Sequence, residues 1–268
     1  MKDKVVIITG ASSGIGEALA RKFSEEGSWV VLAARQVEKL LVLQKELEKH
    51  SGRTLIVACD VSIESDCKKL IQETVKEFGR IDVLINNAGI SMRAIFNELD
   101  LGVIRKVMDV NFWGTVCCTK FALPYLLNTN GSVVGISSIA GKKGLPGRTG
   151  YSSSKFAIEG FLETLRTENL NKGLHVLVAC PGFTASNIRQ TALAKDGSNQ
   201  GESPRDEKDM MTSEEVATHI YNAIKKRKRD LILTFQGKLT VFLNKLFPAM
   251  MDKMVYNHMA KEPDSPFK

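Results

Sequence analysis

Short apolar runs alternate along the chain with longer stretches in which apolar positions recur three or four residues apart. Residues 5–9, 29–33, 55–58, 83–86, 133–137 and 175–179 are nearly unbroken apolar runs of strand length, and 231–234 fits a seventh. Residues 37–50, 64–78, 104–127 and 152–171 carry helical periodicity. Strand and helix in alternation predict right-handed βαβ units and a parallel sheet covered on both faces. The fold class expected is α/β, doubly wound, with about seven strands.

Two segments depart from this rhythm. Residues 194–209 are polar, rich in Asp, Ser, Gly and Lys, and predict a mobile loop before a helix that begins near Thr212. In the tail, taken as 237–268, Leu239, Phe242, Leu243 and Leu246 fall at helical spacing, and Phe247, Met250, Met251 and Met254 continue an apolar face. Pro248 is expected to break or kink that pattern. Lys238, Lys245 and Lys253 punctuate it, and the basic run Lys225, Lys226, Arg227, Lys228, Arg229 lies upstream. An apolar face flanked by lysines suits peripheral contact with a membrane. Packing against a substrate pocket or a partner subunit is the plainer expectation.

A chain of 268 residues, 43% hydrophobic and 25% charged, has the composition of an ordinary globular protein, and one domain over 1–268 is expected. Its net charge of +7 suits an anionic cofactor, an anionic substrate or a membrane surface. No interleaving of aromatic and basic residues and no nucleic-acid motif accompanies it, so nucleic acid is not an expected partner. The five cysteines include no Cys-x-x-Cys pair, and no His/Cys group has metal-ligand spacing. Reduced, packed cysteines, no metal and a cytoplasmic location are therefore expected. The apolar run after Lys4 is too short for a signal peptide, and no run is long enough to span a bilayer.

Candidate chemistry begins at the first turn. The first predicted strand runs into Gly10-Ala11-Ser12-Ser13-Gly14-Ile15-Gly16 and then an amphipathic stretch. Glycines let a backbone turn sharply and approach a pyrophosphate, and a following helix N-terminus offers free N–H groups and partial positive charge. The spacing is Gly-x-x-x-Gly-x-Gly, not the general Gly-x-Gly-x-x-Gly fingerprint. An NAD site wants a carboxylate near the end of the second strand, an NADP site an arginine. That strand ends Leu32-Ala33-Ala34-Arg35, and the next acid, Glu38, already lies in a predicted helix, so NADP(H) is expected over NAD(H). Tyr151 and Lys155 stand four apart on one helical face. An ammonium within ~4–6 Å favours a phenolate and can move its pKa by ~1–3 units, which would suit Tyr151 to acid–base work.

Together these residues resemble the short-chain dehydrogenase/reductase family from about Val5 to Thr184. Thr9-Gly10-x-x-x-Gly14-x-Gly16 is that family's own cofactor loop, which accounts for the spacing. The resemblance implies a Rossmann-type sheet, with Ser12, Ser13 and Ile15 joining the glycines around the dinucleotide. It implies that Asp60-Val61 meets the adenine, that Asn86-Asn87-Ala88-Gly89 lies beside the ribose, and that Pro181-Gly182, with Thr184, turns over the nicotinamide. Asn111, Ser138, Tyr151 and Lys155 match its catalytic tetrad. Ser138 fits by standing thirteen residues before Tyr151, with Ser137 as the neighbouring candidate.

By that resemblance a hydride passes between nicotinamide C4 and a carbonyl carbon. Tyr151 protonates the developing alkoxide, Ser138 donates a hydrogen bond to it, and Lys155 lowers the Tyr151 pKa and binds the ribose. Asn111 holds a water that links Lys155 to solvent. The resemblance also implies a carbonyl or alcohol substrate, apolar in view of the tail, a covering loop at 185–211, and a homodimer or homotetramer through helices 104–127 and 152–171. Two other readings compete. A non-catalytic NADP(H)-binding regulator has no need of a complete tetrad, and a ketoacyl reductase acting on acyl-carrier-protein thioesters is usually shorter at its C-terminus. Asp82 is expected to brace neighbouring structure and His175 to be structural.

Overall fold

The computed structural model describes residues 1–50, 52–201, 210–262 and 265–266. Seven strands form its sheet: β1 (Val5–Thr9), β2 (Trp29–Ala34), β3 (Thr54–Ala58), β4 (Val83–Asn86), β5 (Ser132–Ile136), β6 (His175–Cys180) and β7 (Asp230–Ile232). All pairings are parallel, in the order β3-β2-β1-β4-β5-β6-β7. The order reverses direction at β1 and β4. Chains leaving their C-terminal ends diverge there and open a crevice, the usual ligand position in such sheets.

The strands are mostly apolar because helices cover both faces. Val6 and Ile8 of β1 pack with Leu19 and Phe23 of α1 (Gly14–Glu25), Leu40 of α2 (Val37–Leu47) and Ile220 of α7 (Ser213–Lys225). Val5 and Ile7 face the opposite way, toward Leu70 of α3 (Glu64–Phe78), Leu126 of α5 (Gly114–Asn128) and Leu162 of α6 (Thr149–Glu168). At the foot of the sheet the buried Asp82 carboxylate accepts from Val5 N at 3.0 Å, Lys4 Nζ at 3.1 Å and Arg80 Nη2 at 2.6 Å, the expected brace. His175 is likewise structural. Its ring joins Ser132 Oγ at 2.9 Å and the Lys228 carbonyl at 2.8 Å, and burial pushes its pKa down.

The helix predicted over 104–127 is interrupted. α4 (Leu101–Met108) begins earlier, where the Asp100 carboxylate accepts from Gly102 N at 2.6 Å, and a π-turn at Asp109–Trp113 separates it from α5. The widened turn carries Asn111 into the interior, 0% exposed. β7 ends at Ile232, short of the predicted 234, because Thr234 turns to a φ of 63° and caps α8 (Phe235–Leu246), accepting from Gly237 N at 3.0 Å. Pro248 divides the tail as expected: α9 (Pro248–Ala260) opens on it, where the missing N–H breaks no helical bond.

Of the loop predicted at 194–209, residues 202–209 lie outside the described residues. The described part is tied down, with Ala194 N bonded to Ser198 O at 2.8 Å and Leu193 bridged to both Met92 and Asn199. Among the described residues no helix is long and apolar enough to cross a membrane.

Candidate active site

The turn between β1 and α1 is shaped by what glycine lacks. Gly10 has φ +66°, and a Cβ on Gly16 would fall 2.2 Å from the Gly10 carbonyl oxygen, so no larger residue fits this fold-back. Asn87 fastens the turn from the next strand. Its Nδ2 donates to Thr9 O at 2.9 Å and Gly10 O at 3.2 Å, while the Thr9 hydroxyl accepts from Asn87 N at 3.0 Å and Ala88 N at 3.1 Å. Asn87 was expected as a cofactor contact; its amide here builds the cradle itself. Ser12, Ser13, Gly14 and Ile15 form the lip, and the Ser13 side chain leaves the first N–H groups of α1 uncapped. A glycine-built hollow in front of uncapped N–H groups fits a pyrophosphate.

At the ends of β2 and β3 stand Arg35 and Asp60. The Arg35 side chain is 65% exposed, and its Nη1 lies 3.8 Å from Asp60 Oδ2. A carboxylate is therefore present beside the second strand after all, supplied by the third. Asp60 Oδ1 is occupied by Ser62, accepting from its N at 3.0 Å and its Oγ at 2.7 Å. Val61 is buried, close against Gly114 at the start of α5. Behind it Cys59 and Cys67 are free, buried thiols; hydrogen bonding to Cys67 and to Cys118 respectively, and then burial, drive their pKa values up.

On the other side of the crevice, three elements converge. The π-turn supplies Asn111, the end of β5 supplies Ser138, and the first turns of α6 supply Tyr151 and Lys155. Lys155 is buried. Its Nζ donates to Ile136 O at 2.8 Å, lies 5.5 Å from the Tyr151 ring centroid, and is held by desolvation at a pKa of about 8. Gly89 sits against it, close enough that a Cβ there would lie 3.5 Å from Nζ.

One expectation about this cluster needs correction. The Tyr151 phenol is pushed up, not down: burial outweighs the hydrogen bond from Ser138 and the positive charges of Arg148 and Arg189 that pull it back. The Asn111 amide is fully engaged as a donor. Its two protons go to Ile90 O at 3.0 Å and Ser154 Oγ at 2.9 Å, and its Oδ1 accepts from Ile90 N at 2.8 Å. Its side chain pins the segment after Gly89 to α6.

The neighbouring serines differ in their partners. Ser137 gives its hydroxyl proton to Glu159 Oε1 at 2.7 Å, whereas Ser138 lines a cavity and stands beside Tyr151. Glu159 was not anticipated from the sequence, although it follows Lys155 by one helical turn. Its other oxygen takes Lys142 Nζ at 2.5 Å, and Cys180 Sγ approaches Oε1 at 3.4 Å. One carboxylate thus ties α6 to the ends of β5 and β6.

That cavity has a volume of about 420 Å³. Ser138, Pro181 and Gly182 form one wall; Gln236 and Thr240 of α8 and Met251, Met254 and Met259 of α9 form the other. The tail is packed on the pocket, as the plainer expectation had it. Asp252 pairs with Lys143, and the buried Glu262 carboxylate sits 3.4 Å from Arg93 and 3.5 Å from Arg148. None of the lining residues comes from 185–201 or 210–211. Thr184 is buried beside this wall, its hydroxyl donating to Gly182 O at 3.2 Å and its carbonyl accepting from Arg189 Nη2 at 2.8 Å.

Comparison with known proteins finds the same arrangement of sequence and fold elsewhere. The family description "short chain dehydrogenase" matches residues 4–197. The chain is 35% identical to the Mus musculus protein "Dehydrogenase/reductase SDR family member 7B", over 99% of this chain and 84% of that one. It is 42% identical to "11-beta-hydroxysteroid dehydrogenase A" of Sesamum indicum, over 70% of this chain and 54% of that one. Among solved structures, an alcohol dehydrogenase from the archaeon Thermococcus sibiricus, complexed with 5-hydroxy-NADP, superposes with a TM-score of 0.78. It is 26% identical and covers 87% of this chain and 96% of that one.

Proposed function

The chain belongs to the short-chain dehydrogenase family, and on that premise we propose that it is an NADP(H)-dependent oxidoreductase acting on an apolar carbonyl or alcohol. One observation carries the reading: Ser138, whose side chain hydrogen-bonds the Tyr151 phenol, lines a largely apolar cavity, with the buried Lys155 beside that phenol. The archaeal relative complexed with an NADP derivative and the plant relative named for a hydroxysteroid point the same way.

The residues at hand fit a dinucleotide. Gly10, Gly14 and Gly16 with the start of α1 would hold its pyrophosphate, Arg35 the 2′-phosphate, Asp60 and Val61 the adenine, Ala88 and Gly89 the ribose, and Pro181, Gly182 and Thr184 the nicotinamide side. When bound, the reduced nicotinamide supplies a hydride to the substrate carbonyl carbon, and the oxidised form accepts one in reverse. In reduction, Tyr151 gives its phenolic proton to the carbonyl oxygen as the C–O double bond becomes single. A phenol kept protonated by burial is ready to do so. Ser138 donates a hydrogen bond where negative charge accumulates. Lys155 places positive charge beside the phenolate left behind, which eases the transfer. Asn111 fixes the segment after Gly89 that borders Lys155. The enzyme is proposed to be one domain that pairs into a homodimer or homotetramer through α4–α5 and α6, where Trp113 and Phe156 are exposed.

A panel of aldehydes, ketones, steroids and acyl thioesters, each with NADPH and NADH, tests this by nicotinamide absorbance. NADPH oxidation with apolar ketones is the expected result. Cofactor binding without turnover of any carbonyl would favour a regulatory binder, and turnover of acyl thioesters alone would favour a ketoacyl reductase.

A further inference from the structure

The helix that walls the cavity on one side is bare on the other. α8 puts Gln236, Gly237 and Thr240 against the pocket, while Phe235, Leu239, Phe242 and Leu246 recur at i, i+4, i+7 and i+11 on the outward face. These four are exposed by 82%, 43%, 60% and 55%. Phe247 and Met250 carry the bare surface across the break into α9, both about half exposed. A contiguous apolar surface of this kind marks an interaction site. Its charge says with what. Between Phe235 and Met251 the sequence holds Lys238 and Lys245 and no acid. The next acid, Asp252, is paired with Lys143.

We propose that α8 and the start of α9 lie flat on an anionic lipid surface, with Phe235, Leu239, Phe242, Leu246, Phe247 and Met250 immersed at headgroup depth and the lysines against acidic headgroups. Large apolar side chains beside lysines, on a helix held parallel to the protein surface, are the make-up of an interfacial helix. A second copy is the weaker occupant, because a two-fold axis through this face would set its lysines against their own images. Met254 lines the cavity and is itself 51% exposed, so the pocket wall and the lipid-facing surface meet in one residue. An apolar substrate dissolved in the lipid would enter there without crossing water.

Sedimentation of the full chain with phosphatidylcholine vesicles, with and without phosphatidylserine, tests the proposal independently of any activity. Binding to the phosphatidylserine vesicles at low salt is expected, weakened by high salt. Lys238→Gln and Lys245→Gln should each lower the partition coefficient about five-fold. Phe242→Asp with Leu246→Asp should abolish binding while leaving the circular dichroism spectrum and the light-scattering mass unchanged. Absence of binding at low salt overturns the proposal. So does binding indifferent to the lysines, or a fall in mass in the aspartate variant, which would assign the face to a second copy. Should the aspartate variant fail to fold, the salt and lysine dependence decide alone.

Discussion

The Lys155 ammonium lies 5.5 Å from the centroid of the Tyr151 ring and donates to the Ile136 carbonyl at 2.8 Å, so cation and phenol share a site that desolvates both. Desolvation favours the neutral form of each, which raises the phenol and lowers the amine. The proton donor of the proposed reduction is thereby kept loaded. Tyr151→Phe is expected to lower kcat by about 10²–10⁴-fold while leaving NADPH affinity unchanged. Turnover near the wild-type rate on a confirmed substrate would remove the phenol from the mechanism.

The lowered lysine has a signature in stability. With a folded-state pKa of about 8 against an ordinary 10.5, the folded protein binds fewer protons than the unfolded chain between those values. Stability contributed by this group therefore rises with pH through that window. Lys155→Met lacks the titration, so wild type should gain on the variant by up to about 1.4 kcal/mol per pH unit as pH climbs from 8 toward 10. Urea unfolding of both proteins at several pH values measures it. A gap that stays flat would return Lys155 to an ordinary pKa.

Glu159 is a positioning residue in this arrangement, since it holds Ser137 and thereby the backbone that aims Ser138. Glu159→Ala is expected to lose about 3 kcal/mol of stability, because Lys142 is left half-buried without its partner. Glu159→Gln keeps a hydrogen-bond acceptor and should fold. Its kcat should fall about ten-fold with KM for NADPH unchanged, a loss worth one hydrogen bond to a charged group. Equal falls in kcat with Glu159→Gln and Glu159→Asp, with no recovery in the latter, would reduce its role to stability.

The proposed preference for NADP(H) rests on Arg35, which lies 3.8 Å from Asp60. Arg35→Ala should raise KM for NADPH about ten-fold and leave KM for NADH nearly as it was. Asp60→Asn should move the ratio the other way by freeing the guanidinium. If Arg35→Ala changes both cofactors alike, the 2′-phosphate is read elsewhere.

Much of the frame was legible in the residues. The runs at 5–9 and 83–86 are apolar between polar neighbours, and the helix at 64–78 ends at Gly79, whose φ of +72° stops it where the sequence said. The glycine turn was legible because steric demand leaves one residue type at Gly10 and Gly16. Other features were not. A π-turn adds one residue to a turn, too small a phase slip for periodicity to reveal, so Asn111 was foreseen as a tetrad member and not as a pin between Ile90 and Ser154. Asp60 reaches Arg35 because β2 and β3 lie side by side, which spacing along the chain does not report. The sign of the Tyr151 shift depends on burial, and burial at a helix start is a property of what packs over it. Spacing from Tyr151 favoured Ser138 over Ser137, but which way each hydroxyl turns was not legible.

The roof of the pocket has a consequence for how the protein could change. Met251, Met254, Met259 and the glutamate clasped by Arg93 and Arg148 all come after residue 197, beyond the stretch that the general family description matches. On the proposed function, the part that does chemistry and the part that roofs the pocket are thus consecutive lengths of chain. Thioethers bend to many shapes, so a few exchanges in this last stretch can re-tailor the guest list while the hydride apparatus is inherited untouched.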